Sequence, residues 1–383
     1  LKELKIIPKH IWHTIPPENF RLSKFNLEPV GNGPYKFEYS ESRKNGFITI
    51  YRLSTNENFS LKKPFIKEFE VKFYPNETEL IDAFNNKKVD GFGGVNPKNI
   101  SKIELNHKVL EKPVTQYYAI FLNKETHPSL EDKDILEALM LSINKERIVE
   151  EVFNGKASLI NQPILPIIPG YDKSTELNSG FSLEKASEIL DEGKWKINEE
   201  TGIREKKSRN ETLALNYSIV VPDLEFLNET AKLIKEDWGK IGVQLNIITI
   251  SPLDIINEVI KNRNYQMLIF GNILKNNPDI FAFWHSSERF YPGLNLALYN
   301  NKKVDDLLES IRKNSDEELR KEELTDLQSL INKDRPALFL YSPTYVYAAP
   351  KSFGGFDQDS INMPSDRFKN VHEWYLETTR TFK

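Results

Sequence analysis

The sequence predicts an α/β protein built as more than one lobe, on three observations. At 383 residues the chain exceeds the roughly 250–300 at which a single core stops growing. From Ser182 to Ile260 the pattern runs helix, loop, strand, helix, strand, helix, the alternation of an α/β layer. Hydrophobic residues make up 39% of the chain and aromatic ones 11%, which is ample for burial.

The segment from Leu1 to about Glu111 reads as mixed strand and helix. Pro29-Val-Gly-Asn-Gly-Pro-Tyr35 is a turn feeding a strand, Tyr35 to Tyr39. Phe47 to Leu53 is its hairpin partner across Lys44-Asn45-Gly46. Lys67 to Tyr74 alternates apolar and polar side chains, as a half-buried strand does. Asn76 suits the N-cap of a helix with Leu80, Ile81 and Phe84 inside, and Lys87-Lys-Val-Asp-Gly91 closes that unit. Tyr117 to Asn123 is a buried strand, expected to cross between lobes. Helices follow at Lys133 to Asn144 and Lys145 to Phe153, ending at Asn154-Gly155. Pro163 to Tyr171 holds three prolines and is expected to wrap a surface rather than build a core.

In the second lobe, Leu183 to Leu190 forms a helix and Leu213 to Val221 a strand. Asp223 is placed to cap a helix running through Trp238, and Val243 to Ile250 is the next strand. Ser251 and Pro252 give N-cap and first-turn signals for another helix, and Tyr265 to Phe270 is a buried strand. Val304 to Lys313 and Asp316 to Asp334 are amphipathic helices, and Ala337 to Tyr341 a strand that crosses back. Tyr345 to Lys383 carries aromatic residues with few periodic signals.

Composition excludes several classes. With 52 basic against 56 acidic residues, the net charge of −4 gives no reason to expect nucleic acid. No apolar run approaches the roughly 20 residues that span a bilayer. The absence of cysteine removes disulfides, thiolate catalysis and cysteine-ligated metals, and it fits an exported protein. Leu1-Lys-Glu-Leu-Lys5 shows neither an initiator methionine nor a signal peptide, the expectation for a processed or truncated chain.

The stretch from Leu268 to Trp284 carries the functional signal. An inner strand ends in Gly271, then Asn272, Asn276 and Asn277, then Pro278-Asp279, then Phe281, Phe283 and Trp284. Ligands of open α/β sheets sit at such strand ends. Amides and a carboxylate beside flat aromatic walls are the make-up of a small-molecule pocket. The same residues also suit a polar strand-to-helix loop capping a core helix. Tyr117, Tyr118 and Tyr345, near the crossings, are further pocket candidates, with core packing as the competing role.

Other motifs point away from chemistry. Gly31-Asn-Gly33 and Gly91-Phe-Gly-Gly94 complete neither a dinucleotide fingerprint nor a Walker sequence, and turns explain them. His10 and His13 lack an adjacent carboxylate for a metal site, and His285 borders the candidate pocket. No Gly-x-Ser-x-Gly elbow is present. Asp305-Asp306 and Glu322-Glu323 lie on polar helix faces, so neither an enzyme, a cofactor nor a metal is expected.

The motifs, taken in order, resemble the bacterial extracellular solute-binding proteins of family 5, the peptide, dipeptide and nickel class that serves ABC importers. The matching pieces are Pro29 to Tyr35, Lys88-Val-Asp-Gly91, Ala138 to Glu146, Ile148 to Gly155, Pro166 with Pro169-Gly-Tyr171, and Leu190 to Trp195. Trp238 to Val243, Asn277-Pro-Asp279, Tyr299-Asn-Asn301 with Val304-Asp305, and Phe353-Gly-Gly-Phe356 complete the run.

The resemblance implies a type II, cluster C periplasmic-binding-protein-like clamshell. Residues 1–116 and 343–383 would form the first lobe and 117–342 the second, with crossing strands near Tyr117 to Asn123 and Ala337 to Ser342. Family members begin further upstream, so the chain would match their C-terminal two-thirds. It also implies a monomeric, bacterial, extracytoplasmic component of an ABC importer, in the periplasm or as a cell-surface lipoprotein anchored through an N-terminal segment. Permease subunits and a peptide would be its partners. The alternatives are an oligosaccharide, a metal chelate, or a sensor uncoupled from transport. In the family's peptide binders an aspartate shortly before the Pro-Asp holds the ligand's α-amine. Here Leu274 stands four before Pro278, and no acidic residue lies between Gly271 and Pro278.

Overall fold

A computed structural model describes residues 7–177, 180–207, 212–275 and 277–377. The chain divides into two compact units, Leu1–Lys112 with Val346–Lys383, and Pro113–Tyr345. The passages between them fall at Lys112–Pro113 and Tyr345–Val346.

In the first unit a short helix α1 (Lys9–Trp12) precedes the antiparallel sheet β1 (Tyr35–Ser42), β2 (Ile48–Thr55) and β3 (Glu68–Lys72). Gly46, at φ +83, makes the β1–β2 turn in the left-handed region that glycine tolerates. Asn56 holds the upstream turn, donating from Nδ2 to the carbonyl of Gly33 at 2.9 Å. Helix α2 (Glu77–Asn85) starts where Asn76 Oδ1 accepts from the Glu79 amide at 2.9 Å. It buries Ile81 and Phe84 against Phe92, Val95, Ile103, Val346 and Ala348, a small core. The Gly91–Gly94 segment contributes strand β4 (Phe92–Gly93), and β5 (His107–Pro113) follows.

The second unit is built on a sheet in the order β12-β11-β13-β6-β14. Its strands are β6 (Gln116–Leu122), β11 (Asn216–Pro222), β12 (Gln244–Ile250), β13 (Met267–Ile273) and β14 (Ala337–Pro350), with β7 (Ala157–Leu159) paired to β14. β11 runs parallel to β12 and β13, whereas β6 is antiparallel to β13 and β14. The inner strands are covered on both faces, and therefore read as near-continuous apolar runs. On one face pack α3 (Lys133–Leu141), α4 (Lys145–Phe153), α5 (Leu183–Glu192) and α6 (Glu225–Lys240). On the other lie α7 (Phe281–Trp284), α8 (Lys302–Lys313) and α9 (Glu317–Asp334).

Four expectations are corrected. The proline-punctuated loop does not merely wrap a surface, because Ile164, Leu165 and Ile168 are buried in the second core cluster. Pro166, Ile167 and Pro169 remain exposed, while Pro163, Ile164, Leu165 and Ile168 are buried. The strand expected at Leu213 to Val221 is two strands, β10 (Thr212–Ala214) and β11, broken at Leu215. β10 pairs with β9 (Arg204–Lys207), which pairs with β8 (Lys196–Ile197), a hairpin extension without apolar alternation in its sequence. Asp223 does not cap α6; Leu224 holds that position, and Asp223 accepts from Asn228 Nδ2 at 2.9 Å. The last strand runs on to Pro350, and Tyr347, Phe353, Phe356 and Trp374 beyond Tyr345 form one aromatic cluster.

Candidate functional site

Strand β13 is central, paired on one side with β11 and on the other with β6, which places its C-terminal end among inner strands. Gly271 lies opposite Tyr118 in that ladder, and a Cβ there would meet Tyr118 Cε1 at 2.9 Å. The glycine therefore lets the half-buried Tyr118 ring lie across the strand, against Phe226 and Tyr341 at 5.2 and 5.7 Å. Asn272 lies opposite Tyr117, and its Nδ2 donates to the Tyr117 hydroxyl at 2.9 Å. Both residues are buried, and burial raises the Tyr117 pKa, so the phenol stays neutral.

After Asn272 the chain turns outward. Leu274 is buried, with its amide donating to Thr115 O at 2.8 Å. Asn276 lies outside the described residues. Asn277 is exposed, and its Oδ1 accepts from the Asp279 amide at 3.1 Å, an Asx turn that sets up the helix start. Asp279 Oδ1 accepts from the Phe281 amide at 3.2 Å. The same carboxylate takes Arg312 Nε at 3.0 and 2.9 Å on its two oxygens, and Arg312 Nη2 at 2.9 Å. The Arg312 guanidinium also lies 3.8 Å from the Phe281 ring centroid, and His285 stacks on that ring at 4.0 Å. Cation–π stacking and the forked ion pair together fix Asp279 in place.

The remaining candidates separate by burial. Trp284 is wholly buried against Phe121, Phe339 and Tyr299, so it supports the core rather than walling an open pocket. Phe283 is half-buried on the same cluster. Tyr345 is buried at the end of the second unit. The structure thus brings Asn272, Tyr117 and Tyr118 together at the β13–β6 ladder, and Asn277 and Asp279 onto the surface segment after it. Arg312, on α8, belongs with Asp279 and was not among the residues singled out from the sequence. Its partner is 33 residues away, and no local spacing signals the pair. Among the described residues no group of three or more His, Cys, Asp or Glu could hold a metal ion.

This architecture, an α/β unit on an inner sheet and a second unit entered and left by single passages of chain, is that of the type II periplasmic-binding-protein-like fold. The chain belongs to the bacterial extracellular solute-binding proteins, family 5, whose middle region matches residues 2–290. That is a family of solute-binding proteins, not of enzymes. The oligopeptide-binding protein AppA of Bacillus subtilis is 25% identical over 98% of this chain and 67% of its own length. Its structure in complex with a nonapeptide superposes with a TM-score of 0.74 at 22% identity, covering 97% of this chain and 72% of that one. The dipeptide-binding protein of Escherichia coli is 24% identical over 91% of this chain and 62% of its own. NikZ of Campylobacter jejuni, solved with Ni(L-His), gives a TM-score of 0.73 at 24% identity, over 96% of this chain and 72% of that one. The chain thus spans about two thirds of the length of these relatives.

Proposed function

We propose that the chain is the solute-binding part of an extracytoplasmic component of a bacterial ABC importer, and that its ligand is a peptide whose N-terminal ammonium is not held by the segment after β13. Family membership supports the importer role, and the peptide class follows the printed descriptions of the two curated relatives. Main-chain hydrogen bonding to an extended ligand, as in strand addition, tolerates many side chains and suits such a class.

The observation that carries the second half is the state of Asp279. It is the one acidic residue from Gly271 to Ile280, and its carboxylate is occupied by Arg312 in a forked pair. Leu274, four before Pro278, is buried. A desolvated ammonium needs a charge-assisted partner, and this segment offers only amides. Asn277, Asp279, Phe283 and Tyr118 are the residues of this unit proposed to border the ligand, together with Asn276. Asn272, Tyr117, Trp284 and Tyr345 are proposed to support them from the core. A metal chelate, as printed for NikZ, is the second reading, because the same missing carboxylate suits a solute without a free amine.

Calorimetric titration with matched peptides, free-amine and N-acetylated, tests the reading. Affinities within about threefold of each other are expected. A free-amine preference of tenfold or more, about 1.4 kcal/mol, would overturn the amine-independent site. Binding of a nickel–histidine chelate with no peptide binding would overturn the peptide class.

A further inference from the structure

Three neighbouring parallel strands of the second unit, β12, β11 and β13, end at the same edge of its sheet. That is the edge at which ligands of α/β sheets sit. The residues leaving those ends hold large apolar side chains in water, a property the proposed function does not use. After β11, Leu224 is 39% exposed. After β12, Leu253 is 86% exposed, the most of any large apolar residue among those described, and Ile256 is 48% exposed. At the end of β13, Ile273 is 48% exposed. A single exposed leucine needs no explanation. Apolar side chains at each of three adjacent strand ends do.

Local structure places each of them. Ser251 Oγ accepts from the Leu253 amide at 3.2 Å, and the Ser251 carbonyl accepts from the Asp254 and Ile255 amides at 3.0 Å each. That cap fixes the first turn with Leu253 outward. Leu224 is the N-cap of α6, its carbonyl accepting from Leu227 and Asn228 at 3.0 Å each, with no side-chain cap. Ser, Thr, Asp and Asn suit this position because their oxygens take a free first-turn amide, and leucine forgoes that bond. Helix stability is therefore not what selects it. Extended backbone through the end of β13 buries Asn272 and Leu274 and turns Ile273 to water. The positions are also joined. The Asp223 amide donates to Ile250 O at 2.8 Å and ties the ends of β11 and β12 together. Phe226, in the first turn of α6, packs on Tyr118 at 5.2 Å. Tyr118 lies across Gly271, which shares a strand face with Ile273.

Resting on the peptide reading above, we propose that these strand ends form an apolar rim that selects bulky apolar side chains of an extended peptide. Leu253 and Ile273 are its specificity-determining residues, with Leu224 between them. The rim continues from Tyr118, one of the residues proposed to border the ligand. β12 and β13, with β11 between them, lie about 10 Å apart at about 4.8 Å per strand, and an extended chain covers that in about three residues of about 3.3 Å. Main-chain bonding gives affinity to any sequence. The rim adds to it only where ligand and protein remove apolar surface from water together. A serine at the same place gains nothing, because leucine and isoleucine side chains offer it no hydrogen-bond partner. Leucine, isoleucine, valine and phenylalanine are the side chains preferred.

Calorimetric titration tests this with N-acetylated pentapeptides in which one leucine is moved through a serine background, against the all-serine peptide. Leucine at one or more positions is expected to tighten binding about tenfold over serine, the scale of discrimination that apolar contacts give. In Leu253→Ser and in Ile273→Ser that advantage is expected to shrink to about threefold or less, while the all-serine affinity stays within about twofold of the parent's. Leu319→Ser removes a comparably exposed leucine from α9 and is expected to change neither value. All of these side chains are exposed, so the variants are expected to keep the parent's melting temperature. Peptide binding with no leucine preference above about threefold at any position would overturn the rim and leave the peptide reading standing. A preference that survives both rim variants would overturn it as well. Failure of every peptide to bind would overturn the rim and the peptide reading together.

Discussion

Asp279 and Leu274 show how a single pairing decides what a segment can recognise. The exposed Asp279–Arg312 pair contributes little to stability, on the order of 0–1 kcal/mol, but it holds the one nearby carboxylate. Arg312→Ala is expected to leave the denaturation midpoint nearly unchanged and to raise the preference for free-amine over acetylated peptide by about tenfold. Paired titrations on the variant check this, and an unchanged preference would count against a ligand near Asp279. Lys145 gives a second residue-scale prediction. Its Nζ donates to Ile160 O at 3.1 Å and to Asn161 Oδ1 at 2.8 Å, but burial lowers its pKa from 10.5 to about 8. Below pH 8 folded and unfolded chains both carry that proton, so it adds no slope. Between about 8 and 10.5 the unfolded chain binds the proton that the folded one has released, so this group makes stability rise with pH. Urea midpoints at pH 7.5 and 10 should show that rise in the parent relative to Lys145→Met, and parallel profiles would contradict it.

At the scale of elements, the β13–β6 ladder depends on Gly271. Gly271→Ala forces Tyr118 out of its place between Phe226 and Tyr341, an overpacking change expected to cost about 1–3 kcal/mol. Equilibrium denaturation measures it, and a loss below about 0.5 kcal/mol would show that the ring moves freely. These elements also mark how far pattern reading carries. β6, β13, α4, α8 and α9 were legible because period and caps are local: Asn144 and Asp316, for example, accept from their own first-turn amides. The β8–β9–β10 hairpin was not, since its strands lack apolar alternation. The burial of Ile164 and Leu165 ahead of the exposed Pro166, and the Asp279–Arg312 pair, depend on partners distant in sequence. Asn272 was legible as a polar residue at a strand end. That its amide is spent on Tyr117 depends on a strand register that no single stretch encodes.

Across the whole molecule, burial is uneven between the units. Among the described residues, the second carries extensive apolar clusters on both faces of its sheet, whereas the first has the smaller cluster around Phe84 and the aromatic cluster around Trp374. Stability within a protein follows such differences in buried apolar surface, and sparsely packed regions open at lower free energy than core strands. The 383-residue protein is therefore expected to lose exchange protection first in β1 to β4, while the β11–β13–β6 strands persist to global unfolding. Native-state exchange at rising denaturant separates the two. Under two-state unfolding the opening energies of both units would converge on one value; distinct isotherms, lower for the first unit, are the expected outcome. A ligand bound only by the second unit would raise the upper isotherm and leave the lower one in place, because binding stabilises the conformation it selects. Repeating the exchange with a bound peptide thus reports which unit supplies the affinity. A shift of the lower isotherm alone would move the ligand-binding residues away from the segment after β13.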